Sequence, residues 1–199
     1  TIGAALPSPP EGTVIATKGG FARGQGRPEV LARQIEQSLA SLRTERIDLY
    51  YLHRVDPETP LEESLAAIDA YRQRGAIAHV GISEVGIGEI ARARQILPVA
   101  AVQNRYNLAE REHDEVVDYC EAEGIVFVPY FPLNGADDRA VAEIAGRRGL
   151  TPHQVALAWL LRRSPAMLPI PGTLSLGHLQ ENLAALDLDL RDDEFEALR

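Results

Sequence analysis

Leu49-Tyr50-Tyr51-Leu52-His53-Arg54 is the stretch on which the reading of the fold turns. Four apolar or aromatic residues in succession form too short a run for a helix of ordinary length. They show no alternation, so they read as a strand covered on both faces, as in a parallel sheet. The run ends in an imidazole and a guanidinium. Working outward, Thr13-Val14-Ile15-Ala16-Thr17-Lys18 has the same form and ends in a lysine. Polar, proton-handling groups at the exits of separate strands sit where parallel α/β barrels keep their chemistry, so an enzyme is the leading expectation.

The rest of the chain alternates in the same way. The expected strands are 13–18, 48–53, 78–83, 100–104, 125–130 and a proline-rich 167–171. Between and after them, helices are expected over 28–43, 61–74, 87–96, 111–123, 137–148, 151–163, 176–186 and 192–198. Pro28 suits a first turn, and Val30, Leu31, Ile35, Leu39 and Leu42 share a face. Gly75, Gly124 and Gly149 stand where helices stop. Thr151-Pro152-His153-Gln154 spells a capping box. Single strands separated by helices imply βαβ crossovers and a parallel sheet in one domain spanning 1–199. An open doubly wound sheet fits the alternation too. However, no Gly-x-Gly-x-x-Gly follows an early strand, and Gly81-Ile82-Ser83-Glu84-Val85-Gly86 lacks that spacing, so the barrel is preferred.

Composition bounds the function. The 199 residues are 45% hydrophobic and 25% charged, values of an ordinary globular protein. Twenty Lys and Arg stand against 29 Asp and Glu, and a net charge of −9 disfavours nucleic acid as a partner. A single cysteine, Cys120, excludes an intrachain disulfide and reads as a small residue on the inner face of a helix. No apolar run approaches the ~18 residues of a membrane span, and no signal-peptide pattern opens the chain, so a cytoplasmic location is expected. The histidines show no metal-ligand spacing, and no metal is expected. The acidic runs 56–63 and 187–196 read as solvated faces and helix N-terminal acids.

Five strand ends carry polar or aromatic groups: Lys18, His53-Arg54, Ser83-Glu84, Gln103-Asn104 and Tyr130. The sixth expected strand leads into Gly172-Thr173-Leu174-Ser175, a small-residue loop before a helix whose amides suit a phosphate. Taken singly, each has a commoner structural reading: a solvated lysine, a core histidine, amides satisfying a barrel rim, core aromatics, helix caps. Taken jointly, at successive strand ends, they suit a nucleotide cofactor beside a polar reaction.

These residues resemble the aldo-keto reductases. The resemblance is carried by Ile15-Ala16-Thr17-Lys18, Asp48-Leu49-Tyr50-Tyr51-Leu52-His53-Arg54, Val80-Gly81-Ile82-Ser83, Val102-Gln103-Asn104-Arg105-Tyr106-Asn107, Ile170-Pro171-Gly172-Thr173 and Glu181-Asn182-Leu183, in order over nearly the whole chain. It implies a TIM (β/α)8 barrel that binds NADPH, with NADH as the alternative, and reduces a small aldehyde or ketone by hydride transfer. Lys18 resembles the catalytic lysine that tunes a tyrosine, and His53 the histidine that orients the carbonyl. Ser83 and Gln103 match positions that hold the nicotinamide carboxamide. Glu84 stands where many members have asparagine. Tyr130 matches the aromatic that stacks on nicotinamide, and Phe131 and Leu133 match positions along the pyrophosphate. Gly172, Thr173 and Ser175 match the adenosine-phosphate loop, and Glu181 and Asn182 the adenine end. Gly172 and His178 stand where NADPH-preferring members often carry lysine and arginine.

The resemblance also implies that the six expected strands are the third to the eighth. The first two βα units, with the catalytic aspartate and tyrosine, would precede this chain, and Ile2-Gly3-Ala4-Ala5-Leu6 looks like the end of the second helix. No tyrosine of the 199 residues is assigned as the acid. The alternative functions are a nucleotide-binding module with weak or no turnover, like the channel β-subunits of the same family, and a structural remnant.

Overall fold

The computed structural model describes residues 2–198. They divide into two compact units, 1–102 and 103–199. The first unit holds α1 (Ile2–Ala5), β1 (Ala16–Gly19), α2 (Pro28–Leu42), β2 (Ile47–Leu52), α3 (Leu61–Gln73), β3 (Ile77–Ser83), α4 (Ile87–Ala93) and most of β4 (Val99–Gln103). β1 pairs with β2, and β2 with β3, all parallel. The register sets Lys18 beside Tyr51 and Leu52 beside Ile82, so the C-terminal ends of three neighbouring strands lie along one edge. The Leu49–Leu52 run behaves as its composition requires. Tyr50 and Leu52 are buried against helices that bring Leu31, Ile35, Leu65 and Ile68, while Tyr51 is buried on the opposite face. Pro28 sits in the first turn of α2 as expected.

The second unit contains β5 (Val126–Phe127), α5 (Asp114–Ala122), α6 (Arg139–Arg148), α7 (Pro152–Arg163), α8 (Leu176–Ala184), a 3-10 turn over Ala185–Asp187 and α9 (Asp192–Ala197). Its core is an aromatic stack in which Trp159 lies between Tyr106 and Phe195, with Phe127 edge-on to Tyr106. α7 opens with the expected capping box: the Gln154 N–H donates to Thr151 Oγ1, and the Thr151 N–H to Gln154 Oε1. Cys120 is fully buried on α5, and burial pushes its thiol up to about 12.

Four expectations are corrected. The segment 167–171 is no strand: it makes one parallel bridge, Met167 to Phe127, where the Leu168 N–H donates to the Phe127 carbonyl. Pro169 and Pro171 have no N–H to extend the ladder. The strand expected over 125–130 shortens to Val126–Phe127, with a separate bridge at Tyr130. The acidic run 56–63 is not all solvated, because Asp56 is 4% exposed. Nor is the run 187–196, because Glu194 is 1% exposed and paired with Arg148 and Arg191. Among the described residues no helix is long and apolar enough to cross a membrane, and no His, Cys, Asp and Glu cluster has a metal-binding arrangement.

Candidate functional site

Lys18, next to last in β1, and His53, the residue after β2, lie on adjacent parallel strands and line the same pocket, of about 380 Å³, together with Gly19, Gly20, Phe21 and Gln25. The His53 N–H donates to the Gly19 carbonyl at 2.7 Å, carrying the β1–β2 ladder one residue beyond the strands. Burial, then the charges of Lys18 and Arg54, lower the His53 pKa to about 4. The imidazole is therefore neutral at physiological pH. It carries one N–H donor and one acceptor nitrogen. Burial, then Arg54, lowers the Lys18 pKa as well. Both shifts have the sign expected for cations drawn out of water beside like charge.

Ser83 ends β3 and is buried. Glu84 follows it with φ at +57°, in the left-handed region that suits asparagine or glycine better than a longer side chain. Its carboxylate is held at 2.8 Å by Arg54 Nη1, the residue after His53. The Arg54–Glu84 pair thus joins the exits of β2 and β3.

In the second unit, Gln103 and Asn104 are buried at the end of β4. The Tyr130 N–H donates to the Asn104 carbonyl at 3.1 Å. Tyr130 meets Phe131 edge-on at 5.2 Å, and Arg105 lies 5.2 Å over the Phe131 ring. Phe131 has φ +53° and is 56% exposed, a large apolar ring turned to solvent. Leu133 is half-buried. Further along, the loop Gly172–Ser175 is tied locally. The Ser175 N–H donates to Thr173 Oγ1, and the His178 N–H to Ser175 Oγ, which makes Ser175 the N-cap of α8. α8 buries no residue, and Leu174 and Leu176 are exposed. Glu181 offers its carbonyl to Gln154 Nε2, and Asn182 borders a groove of leucines and prolines.

The residues assigned by resemblance thus fall into groups. Lys18 and His53 share a pocket, Glu84 meets Arg54 beside Ser83, Tyr130 and Phe131 adjoin Asn104, and Thr173, Ser175 and His178 form a capping turn. Taken within each unit, the side-chain chemistry fits a nicotinamide dinucleotide in part. Buried hydroxyl and amide groups at strand ends are the right chemistry for a carboxamide, and an exposed aromatic suits a flat ring. Residues 172–182 contain hydroxyls, amides and a histidine but no lysine or arginine.

Sequence reasoning passed over two neighbours of the pocket. Phe21 packs on His53 with ring centroids 4.7 Å apart, tilted by 46°. Asp56 accepts four hydrogen bonds: from the N–H groups of Gly24 (3.0 Å), Gly26 (2.8 Å) and Glu58 (3.1 Å), and from the Thr59 hydroxyl (3.2 Å). Burial pushes its carboxyl up, but those donors more than offset it and hold the group at about 2. Asp56-Pro57-Glu58-Thr59 has the composition of an Asx turn, a signal visible in the chain. The partners at Gly24 and Gly26 are not visible there. Tyr50 and Tyr51 do not line the pocket. The Tyr50 hydroxyl is buried without a partner among the described residues, and burial raises its pKa.

Comparison with known proteins places this arrangement. A family model described as "Aldo/keto reductase family" matches residues 1–137 and 136–199. An uncharacterized oxidoreductase of Schizosaccharomyces pombe is 40% identical over 96% of this chain and 66% of its own length. The chain therefore spans just under two thirds of that relative. A thermostable aldo-keto reductase, solved in complex with the inhibitor epalrestat, superposes with a TM-score of 0.91 at 31% identity over 99% of this chain and 74% of that one. An aldo-keto reductase from Klebsiella pneumoniae, solved in complex with NADPH, gives 0.87 at 27% identity over 99% of this chain and 72% of that one.

Proposed function

Since the chain belongs to the aldo/keto reductase family, with its TIM-barrel-like α/β fold, we propose that the complete protein reduces a small aldehyde or ketone to an alcohol. NADPH is the cofactor, as in the Klebsiella relative solved with it. NADH is the alternative, because no fixed positive charge lies within residues 172–182 to favour a 2′-phosphate. The 199 residues then belong to a single barrel domain, with β1–β5 corresponding to the third to seventh strands and the segment 167–171 standing in the place of the eighth.

One observation carries this reading: Lys18 and a neutral His53 stand together on one pocket at the ends of β1 and β2. A neutral imidazole N–H donates to a carbonyl oxygen without surrendering its proton in the ground state. Hydride addition leaves an alkoxide that must be protonated: a tyrosine acid of the complete protein would donate that proton, with the Lys18 ammonium lowering its pKa and the His53 donor polarising the carbonyl. When bound, the cofactor supplies the hydride. By the family resemblance, Ser83 and Gln103 would hold its carboxamide and Tyr130 its ring, with Glu84 following Ser83 in the chain. By the same resemblance, Phe131 and Leu133 would lie along the pyrophosphate, and Gly172, Thr173, Ser175, His178, Glu181 and Asn182 at the adenosine end. Arg54 neutralises Glu84 beside that set.

The test is oxidation of NADPH by the purified protein with a panel of small aldehydes. Turnover that survives Lys18→Met and His53→Gln unchanged would overturn both roles. A second reading rests on the tyrosines: neither Tyr50 nor Tyr51 lines the pocket that holds Lys18 and His53. It is a module that binds nucleotide without reducing a carbonyl. A change in NADPH fluorescence on binding, with no aldehyde consumed, would select it.

A further inference from the structure

The loop after β1, residues 20–27, hangs beside the pocket and carries Phe21, whose ring is 61% exposed and packed on His53. Its bonds run to residues far along the chain. The N–H groups of Gly24 and Gly26 donate to the two oxygens of Asp56, on the loop after β2. The Ser64 hydroxyl, on α3, donates to the Gly26 carbonyl at 2.7 Å. Outside these, Arg23 and Arg27 both reach Glu58, and Gln34 of α2 accepts from the Gly20 N–H. Gly26 sits so close that a Cβ there would come within 2.5 Å of the Asp56 Cβ. Only glycine lets the backbone reach this carboxylate. Gly24, at φ +75°, turns its N–H toward the same group.

From this geometry we infer that Asp56 is a positioning residue: its buried carboxylate latches loop 20–27 so that Phe21 stays on the His53 ring and walls one side of the pocket. Asp56 lies three residues beyond His53, so the strand that delivers the imidazole also delivers the anchor for the loop that covers it. The surface bridges to Glu58 are exposed and hold the loop weakly. The Asp56 bonds are charge-assisted and lie buried at Gly26 and part-buried at Gly24, and they dominate. Phe21 gives that side of the pocket an apolar face, which favours carbonyls bearing an aromatic or branched aliphatic group. The substrate preference rests on the reductase reading, whereas the latch itself does not.

The test uses full-length protein with isotope-labelled histidine, followed by NMR. The His53 ring proton is assigned by its loss in His53→Gln. Phe21→Leu should remove the ring-current shift that Phe21 imposes, which defines the unlatched position. Asp56→Ala should move the His53 resonance to that position. Asp56→Asn keeps the acceptor facing Gly24 and loses the one facing Gly26, so it should move the signal part of the way. If Asp56→Ala does not fold, Asp56→Asn decides. A His53 resonance that stays at its native position in whichever folded variant decides would overturn the latch. In turnover, Phe21→Leu and Asp56→Ala should each raise KM for an aromatic aldehyde about tenfold, with little change in kcat. A moved resonance in a protein that reduces no carbonyl would leave the latch standing and remove the reductase reading.

Discussion

The loop after β1 and the loop before α8 both lead into a helix, and both contain glycine, yet different bonds hold them. Loop 20–27 is tied to Asp56, Glu58 and Ser64, 30 to 38 residues away by the closest of these bonds. Loop 172–175 is held by Thr173 and Ser175 within its own turn, and it leads into a helix that buries nothing. The first is fixed in advance by the fold, whereas the second keeps only its local shape. Preorganisation is useful where reacting atoms must meet, because misplacement there costs rate steeply. A loop that closes on a long flexible ligand can be ordered when the ligand arrives, at some cost in affinity.

The sharpest way to break this comparison is Lys18→Met. With the pocket preorganised, removing one ammonium should lower kcat by about 10²-fold or more while circular dichroism stays native. A loss confined to KM would mean that the pocket only binds. Next in size is the pH profile of the same pocket. His53 has a folded pKa near 4, below its unfolded value of 6.5, so it binds a proton less readily when folded. Its contribution to stability is complete above pH 6.5 and is lost as pH falls toward 4. The part of kcat/KM that needs neutral imidazole should persist down to about pH 4 and then fall. A midpoint near 6.5 would show that the ring is not held in this environment.

Asp56 sharpens the contrast between the two loops. Asp56→Ala leaves the Gly24 and Gly26 N–H groups without their acceptor and should lower unfolding free energy by about 3 kcal/mol in denaturant titration. Asp56 also holds its proton more weakly in the fold than out of it. Its stabilisation should therefore be present above pH 3.8 and lost between there and about pH 2. The smallest effect belongs to the second loop. Ser175→Ala removes an exposed N-cap and should cost about 0.5–1 kcal/mol. It should raise KM for NADPH a few-fold, without moving kcat. Equal destabilisation by the two substitutions would erase the distinction.

Local features of this fold were legible in the chain. The run 49–52 announced a doubly covered strand, and His53 announced a strand exit. The Thr151–Gln154 box announced a helix start, and Cys120 a helix interior. Each follows from neighbours within a few residues, where periodicity, capping and backbone geometry act. The misreadings have the opposite character. Asp56 and Glu194 looked like surface acids, and residues 167–171 like a sixth strand. A carboxylate is buried only if donors come to meet it, and those donors arrive from Gly24 and Gly26 for one, and from Arg148 for the other. A strand forms only if a partner offers its ladder and its own N–H groups answer, and two prolines at 169 and 171 leave that answer short.

By itself, then, the sequence determined a parallel α/β chain with a lysine and a histidine at neighbouring strand exits, because burial pattern and strand direction are written in consecutive side chains. The tertiary structure decided that the imidazole is neutral, that Phe21 lies on it and that Asp56 accepts from Gly24 and Gly26 of the loop that carries Phe21. Those outcomes depend on desolvation, nearby charge and hydrogen-bond donors, which residues 30 or more positions apart create only when they are folded against one another.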